Sequence, residues 1–164
     1  MTVNLPTALQ FDSEPQKILV VLPTWVGDVV MATPFLASLH KRFSQADFTF
    51  VMYKHLQSVL AGSPWLGKVV TWPPKGKSPE NKQAKAEFVQ QLQQEHFDLA
   101  VLLPNSFSSA WLAFRCGVKR RVGFNRDGRG LLLTDRIKVP NKRPNKKEAP
   151  NPGPFEPMPL VEYY

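Results

Sequence analysis

Residues 17–30 read KILVVLPTWVGDVV. An apolar run from Ile18 to Leu22 stops at Pro23 and Thr24, and the pair Gly27-Asp28 opens a new apolar-periodic segment. The pattern is a buried strand, a tight loop and a helix start, with a carboxylate at the junction. In open α/β sheets, ligands gather beyond the carboxyl ends of the strands, where such loops sit. Asp28 therefore stands where chemistry is expected.

The same alternation continues along the chain. Ala32, Phe35, Leu36, Leu39 and Phe43 share one face of a helix predicted over 28–43, and His40, Lys41 and Arg42 suit its negative end. Pro34 is expected to kink that helix or to force a short first segment. A strand is predicted over 48–53, a short helix ending near Gly62, a short strand over 68–72 and a loop over 73–79. A polar helix over 80–96 carries Ala84, Phe88 and Leu92 on one stripe. A strong strand over 98–103 leads to a helix over 106–116, with Trp111 and Phe114 expected to face inward. Residues 119–122 and 131–134 are shorter strand candidates. Strands alternating with helices imply an α/β, Rossmann-like fold: a mostly parallel sheet with helices on both faces.

A length of 164 residues suits about one domain. Residues 1–16 read as an irregular leader and 17–139 as the Rossmann-like domain. From Pro140 to Pro159 the chain holds seven prolines and a lysine cluster, the composition of a linker or exposed loop. Residues 160–164 read as the start of a truncated helix.

Lysine and arginine outnumber the acids by 21 to 13, which favours an anionic partner: nucleic acid, a phosphorylated glycolipid, a nucleotide or a membrane surface. A solvated, charged tail is the plainer account, because several lysines lie near the C-terminus. No stretch approaches the roughly 20 apolar residues of a membrane span. No signal peptide is read at the N-terminus, and the lone Cys116 has no internal disulfide partner. The expected location is cytoplasmic, with peripheral contact at the inner face of an inner membrane.

Four features bear on chemistry. In the first, Thr24-Trp25-Val26-Gly27-Asp28, the glycine allows close backbone approach or a positive φ. The N–H groups at the helix start suit an anion. Asp28 is either a general base or a cap for those N–H groups. The stretch is neither a G-x-G-x-x-G dinucleotide fingerprint nor a P-loop, which disfavours both functions. In the second, Leu103-Pro104-Asn105-Ser106-Phe107-Ser108-Ser109, Asn105, Ser106 and Ser108 suit hydrogen bonds to sugar hydroxyls, while the plainer account is that Asn105 or Ser106 caps the next helix, and the two roles are compatible. The third is the cluster Arg120, Arg121, Arg126, Arg129 and Arg136 around Gly123, Gly128 and Gly130. It is either a phosphate-binding loop or a solvated surface loop. Phe124 is its one interleaved aromatic, so stacking of nucleic-acid bases is weakly supported. The fourth, metal binding, fails: His40, His55 and His96 are isolated and no D-x-D occurs.

Two of these stretches carry a resemblance. KILVVLPTWVGDVVMATPFLASLHKRF and DLAVLLPNSFSSAWLAFRCGVKRRVGF resemble, in order and separation, the lipopolysaccharide heptosyltransferases of glycosyltransferase family 9. The W-V-G-D run is most like the heptosyltransferase II branch. The resemblance implies the N-terminal, acceptor-binding domain of a GT-B fold, with ADP-heptose as the donor bound by a second domain and no cofactor or metal. It implies inverting transfer of heptose to the lipopolysaccharide inner core, with Asp28 as the base. The acceptor-binding residues expected with it are Thr24, Trp25, Gly27, Asn105, Ser106, Ser108, Arg121, Arg126 and Arg129. Nothing in this sequence corresponds to the donor domain, so the chain is expected to be a fragment, inactive alone. The alternative is a non-catalytic, anion-binding remnant or a partner subunit.

Overall fold

The computed structural model describes residue 11 and residues 13–137; the linker expected over 140–159 and the helix start over 160–164 lie outside them. Six strands form one sheet: β1 (Lys17–Val21), β2 (Asp47–Met52), β3 (Lys68–Thr71), β4 (Leu99–Leu102), β5 (Arg120–Phe124) and β6 (Asp135–Ile137), in the order β3-β2-β1-β4-β5-β6. Every pairing is parallel. The order reverses between β1 and β4, where Val21 lies opposite Leu102.

Strand alternation sorts the core into two layers. Ile18, Val20 and Leu22 join Phe50, Met52, Leu99 and Val101 on one face, covered by Val29, Ala32 and Leu36 of helix α1 (Val26–Arg42) and by Leu60 of α2 (Gln57–Leu60). Leu19, Val21, Val51, Ala100 and Leu102 point the other way. They pack under Phe88 and Leu92 of α3 (Pro79–Gln93) and under Ala110, Leu112 and Ala113 of α4 (Phe107–Arg115). Both faces of the sheet are thus covered, as an all-parallel sheet requires.

Pro34 does not break α1, which runs unbroken over 17 residues. Proline cannot donate to the carbonyl four residues back, and the Thr33 hydroxyl donates to that Val30 carbonyl instead, at 2.7 Å. The expected inward packing of Trp111 and Phe114 is also overturned: they are 45% and 48% exposed. Small residues, Ser109, Ala110 and Ala113, face the sheet in their place. Residues 131–134 are not a strand; a 3₁₀ turn over Arg129–Leu132 precedes β6.

The leader is tied to the sheet's amino edge. The Asp98 carboxylate accepts from the Gln16 and Lys17 N–H groups, at 2.9 and 3.1 Å. Glu14 pairs with Arg42 at 2.8 Å, and Phe11 packs edge-on against Phe43.

Candidate active site

Because β1 and β4 are neighbours, the loops that leave them start side by side at the carboxyl edge, the usual place for a ligand in such a sheet. The first loop runs from Leu22 into α1. Trp25 is the N-cap residue and its side chain makes no capping bond. Asp28 lies in the first helical turn, so it is not the N-cap, and among the described residues its carboxylate has no hydrogen-bond or ion-pair partner. A negative group is favoured there by the helix dipole.

Gly27 is helical rather than left-handed, so the expectation of a positive φ is not met. A Cβ built on it would meet no atom within 4 Å, so the chain's own packing does not require glycine there. Thr24 and Trp25 are exposed, Trp25 by 74%. His55 Nε2 lies 3.2 Å from the Thr24 carbonyl, which accepts its N–H when Nε2 carries the proton. His55 in turn stacks on Tyr53, and Tyr53 on Trp72. These rings leave the ends of β2 and β3 and extend the edge past Asp28's loop; their scattered spacing gave no signal in the sequence.

In the second loop, Ser106 caps α4 by accepting from the Ser109 N–H at 3.3 Å, and Ser108 donates to the Ser106 hydroxyl at 3.1 Å. The capping role expected of Ser106 is met. Asn105 is engaged differently, since its Oδ1 accepts from Arg129 Nη2 at 3.3 Å.

Arg129 is the residue the sequence placed least well. It is fully buried, so it is no surface phosphate ligand. Its guanidinium donates to the Phe124 carbonyl at 2.9 Å, to Ser109 Oγ at 3.2 Å, and to the Pro104 carbonyl. Gly123 makes room for it, since a Cβ there would stand 3.1 Å from Arg129 Nη2. Gly128, at φ +74°, supplies the left-handed turn that sends Arg129 inward. Buried Ser109, which relays Arg129 to the loop by donating to the Ser106 carbonyl at 2.7 Å, was not foreseen.

The other arginines divide in the same way. Arg121 also departs from its expected surface role: it donates to the Leu132 carbonyl at 2.6 Å and to the Val118 carbonyl, bracing the loop between α4 and β5 against the 3₁₀ turn. Arg120 grips Asp135 through Nε and Nη2, at 3.2 and 2.6 Å. Arg126 and Arg136 are exposed, with Arg126 3.9 Å from Asp127. Of the arginines assigned to the acceptor, Arg126 alone faces solvent.

The Arg120 hydrogen bond holds the Asp135 carboxyl below the usual carboxylate range, against partial desolvation, with Thr134 adding to the effect. A depressed carboxyl contributes stability above its unfolded pKa of about 3.9 and loses it as pH falls through the folded value. Asp135→Asn is expected to cost on the order of 1 kcal/mol near neutral pH and to flatten the loss of stability below about pH 4. Urea midpoints measured from neutral to acid pH check this; parallel acid limbs would discount the pair.

Among the described residues no three His, Cys, Asp or Glu side chains gather as metal ligands. Burial pushes the Cys116 thiol up to about 11, so it is no nucleophile at neutral pH.

The parallel sheet and its paired edge loops define a Rossmann-like domain of the kind found in GT-B transferases. Residues 85–147 match the model of glycosyltransferase family 9 (heptosyltransferase). Lipooligosaccharide heptosyltransferase 2 of Haemophilus ducreyi is 30% identical over 134 residues, covering 82% of this chain and 36% of that protein. Lipopolysaccharide heptosyltransferase 2 of Escherichia coli is 30% identical over 119 residues, covering 73% of this chain and 34% of that protein. The solved structure of E. coli ADP-heptose LPS heptosyltransferase II superposes with a TM-score of 0.64 at 26% identity, over 80% of this chain and 36% of that one. E. coli heptosyltransferase WaaC with ADP-2-deoxy-2-fluoro heptose shares the fold, with a TM-score of 0.64 at 16% identity, over 87% of this chain and 50% of that one. The resemblance of this chain to the family 9 heptosyltransferases, and among them to heptosyltransferase 2, is therefore shown. The chain spans about a third of the length of the curated relatives it matches.

Proposed function

We propose that this chain is the acceptor half of a heptosyltransferase that moves heptose from ADP-heptose to the lipopolysaccharide inner core with inversion and without a metal. The observation that carries the reading is Asp28: a carboxylate with no intramolecular partner among the described residues, in the loop that leaves β1, at the sheet's switch point. The acceptor hydroxyl approaches along the 24–28 loop and gives its proton to Asp28 as its oxygen attacks the anomeric carbon. The carbon–phosphate oxygen bond breaks on the opposite face, and ADP carries off the electron pair. A carboxylate is too weak a base to ionise an alcohol beforehand, but it takes the proton as the bond forms. Trp25 offers an exposed ring to the sugar, and Ser108 and Arg126 offer exposed polar groups. Arg129 and Arg121 serve the site by fixing its loops. The donor is held by a further domain, so the 164-residue chain alone does not transfer heptose.

Gly27 provides a test that separates binding from folding. Gly27→Ala fills open space in a helix, so stability rises by up to about 1 kcal/mol. The same methyl group blocks the acceptor's approach. Titration of the chain with heptose-deficient inner-core oligosaccharide, followed by backbone amide shifts at 24–28 and 104–108, is expected to show binding that Gly27→Ala weakens. An oligosaccharide that moves neither loop of the unmodified chain refutes the acceptor assignment.

A further inference from the structure

We propose that the outer face of α4 seats this protein on an anionic bilayer. Phe107, Trp111 and Phe114 follow at i, i+4 and i+7, so they form one stripe. Their rings stack in a row, with centroids 6.3 and 5.7 Å apart. Each is about half exposed: 53%, 45% and 48%. The core does not need them, because Ser109, Ala110, Leu112 and Ala113 already bury the opposite face of the helix. Single exposed aromatics are ordinary, but three in contact make a patch that marks an interaction surface.

Charge identifies the occupant. Arg115 closes the helix, and in the cleft beside Trp111 it is joined by Lys75 and Lys85. Neither α4 nor that cleft contributes a carboxylate. Aromatic rings rimmed by lysine and arginine are the chemistry of a helix lying in a membrane interface: rings enter the headgroup–acyl boundary while the cations meet lipid phosphates. Among the described residues no helix is long and apolar enough to cross a membrane.

The inference deepens the reading of a lipid-linked acceptor, and rests on that reading for the presence of a membrane. The test uses vesicles that contain no lipopolysaccharide, so it can fail without touching the acceptor assignment. The purified chain is sedimented with vesicles of equal parts phosphatidylglycerol and phosphatidylcholine, and with phosphatidylcholine alone. Binding is expected on the anionic vesicles and is expected to fall with salt. Phe107→Ser combined with Trp111→Ser should weaken it by about tenfold or more. Lys85→Glu combined with Arg115→Glu should do the same with the aromatic stripe intact, which covers any folding defect in the first variant. Vesicle binding unchanged by both pairs, no binding by the unmodified chain, or loss of self-association alone in the serine variant would each overturn the proposal.

Discussion

Asp28→Asn lowers the turnover of heptose transfer by a factor of about 10² to 10⁴, the usual worth of a positioned general base. The assay joins this acceptor half to a donor-binding half and follows heptose from ADP-heptose onto heptose-deficient lipopolysaccharide. The substitution keeps the size and shape of the side chain and removes its negative charge and with it the capacity to take a proton. Asp28 has no intramolecular partner to lose among the described residues, so the stability loss should not exceed about 1 kcal/mol, the worth of its charge to the helix dipole. Acceptor affinity should change little, because the amide still offers an oxygen to the hydroxyl. The signature is thus a fall in kcat with KM nearly constant. Near-normal turnover in the variant would remove Asp28 from the chemistry, and the non-catalytic remnant would then be the better account of the fold.

The largest stability effect is expected at Arg129. Arg129→Ala withdraws donors from the carbonyls of Pro104 and Phe124, from Ser109 Oγ and from Asn105 Oδ1. A buried polar group left without its partner costs about 1–3 kcal/mol, and the vacated volume adds a cavity term. A net loss of roughly 3–5 kcal/mol is expected, a large share of the total for a domain of this size. Arg129→Lys should recover part of it, since one ammonium reaches some of these acceptors but not the planar fork. Denaturant midpoints read both variants. An alanine variant as stable as the parent would mean that the loop at 104–106 holds its shape without Arg129.

Strands β1 to β4 were legible in the sequence because each centres on an apolar run closed by turn residues, whereas β6 was missed because Asp-Arg-Ile carries no such run and the apolar Leu131–Leu133 before it drew the strand expectation instead. The Asp28 loop was legible for the same reason: Ile18–Leu22 could only be a buried strand, and the segment after it had to sit at the strand's end. Helix α4 shows where such reading stops. A helical period finds two apolar faces in FSSAWLAFR, and volume misleads about which one is buried. Close packing on the sheet selects Ser109, Ala110 and Ala113, leaving the larger rings outside. Arg129 fails differently. Its buried environment is assembled from Pro104, Ser109 and Phe124, which lie 25, 20 and 5 residues away, so no local pattern records it. Proline at position 34 is a third case, where a neighbouring threonine supplies the bond that the helix lacks.

Strand order has a mechanical consequence. The first half of the sheet, β3-β2-β1, comes from residues before Trp72, and the second, β4-β5-β6, from residues after Asp98. Only the parallel pairing of β1 with β4 stitches the two halves within the sheet. Asp28 rides on one half, and Asn105 with its Arg129 anchor rides on the other. Any rotation of the halves about that seam changes the gap between the two loops, and it must shear both core layers, each of which packs residues from the two halves together. The width of the site is therefore governed by the stiffness of the β1–β4 seam and of the close-packed core layers that cross it.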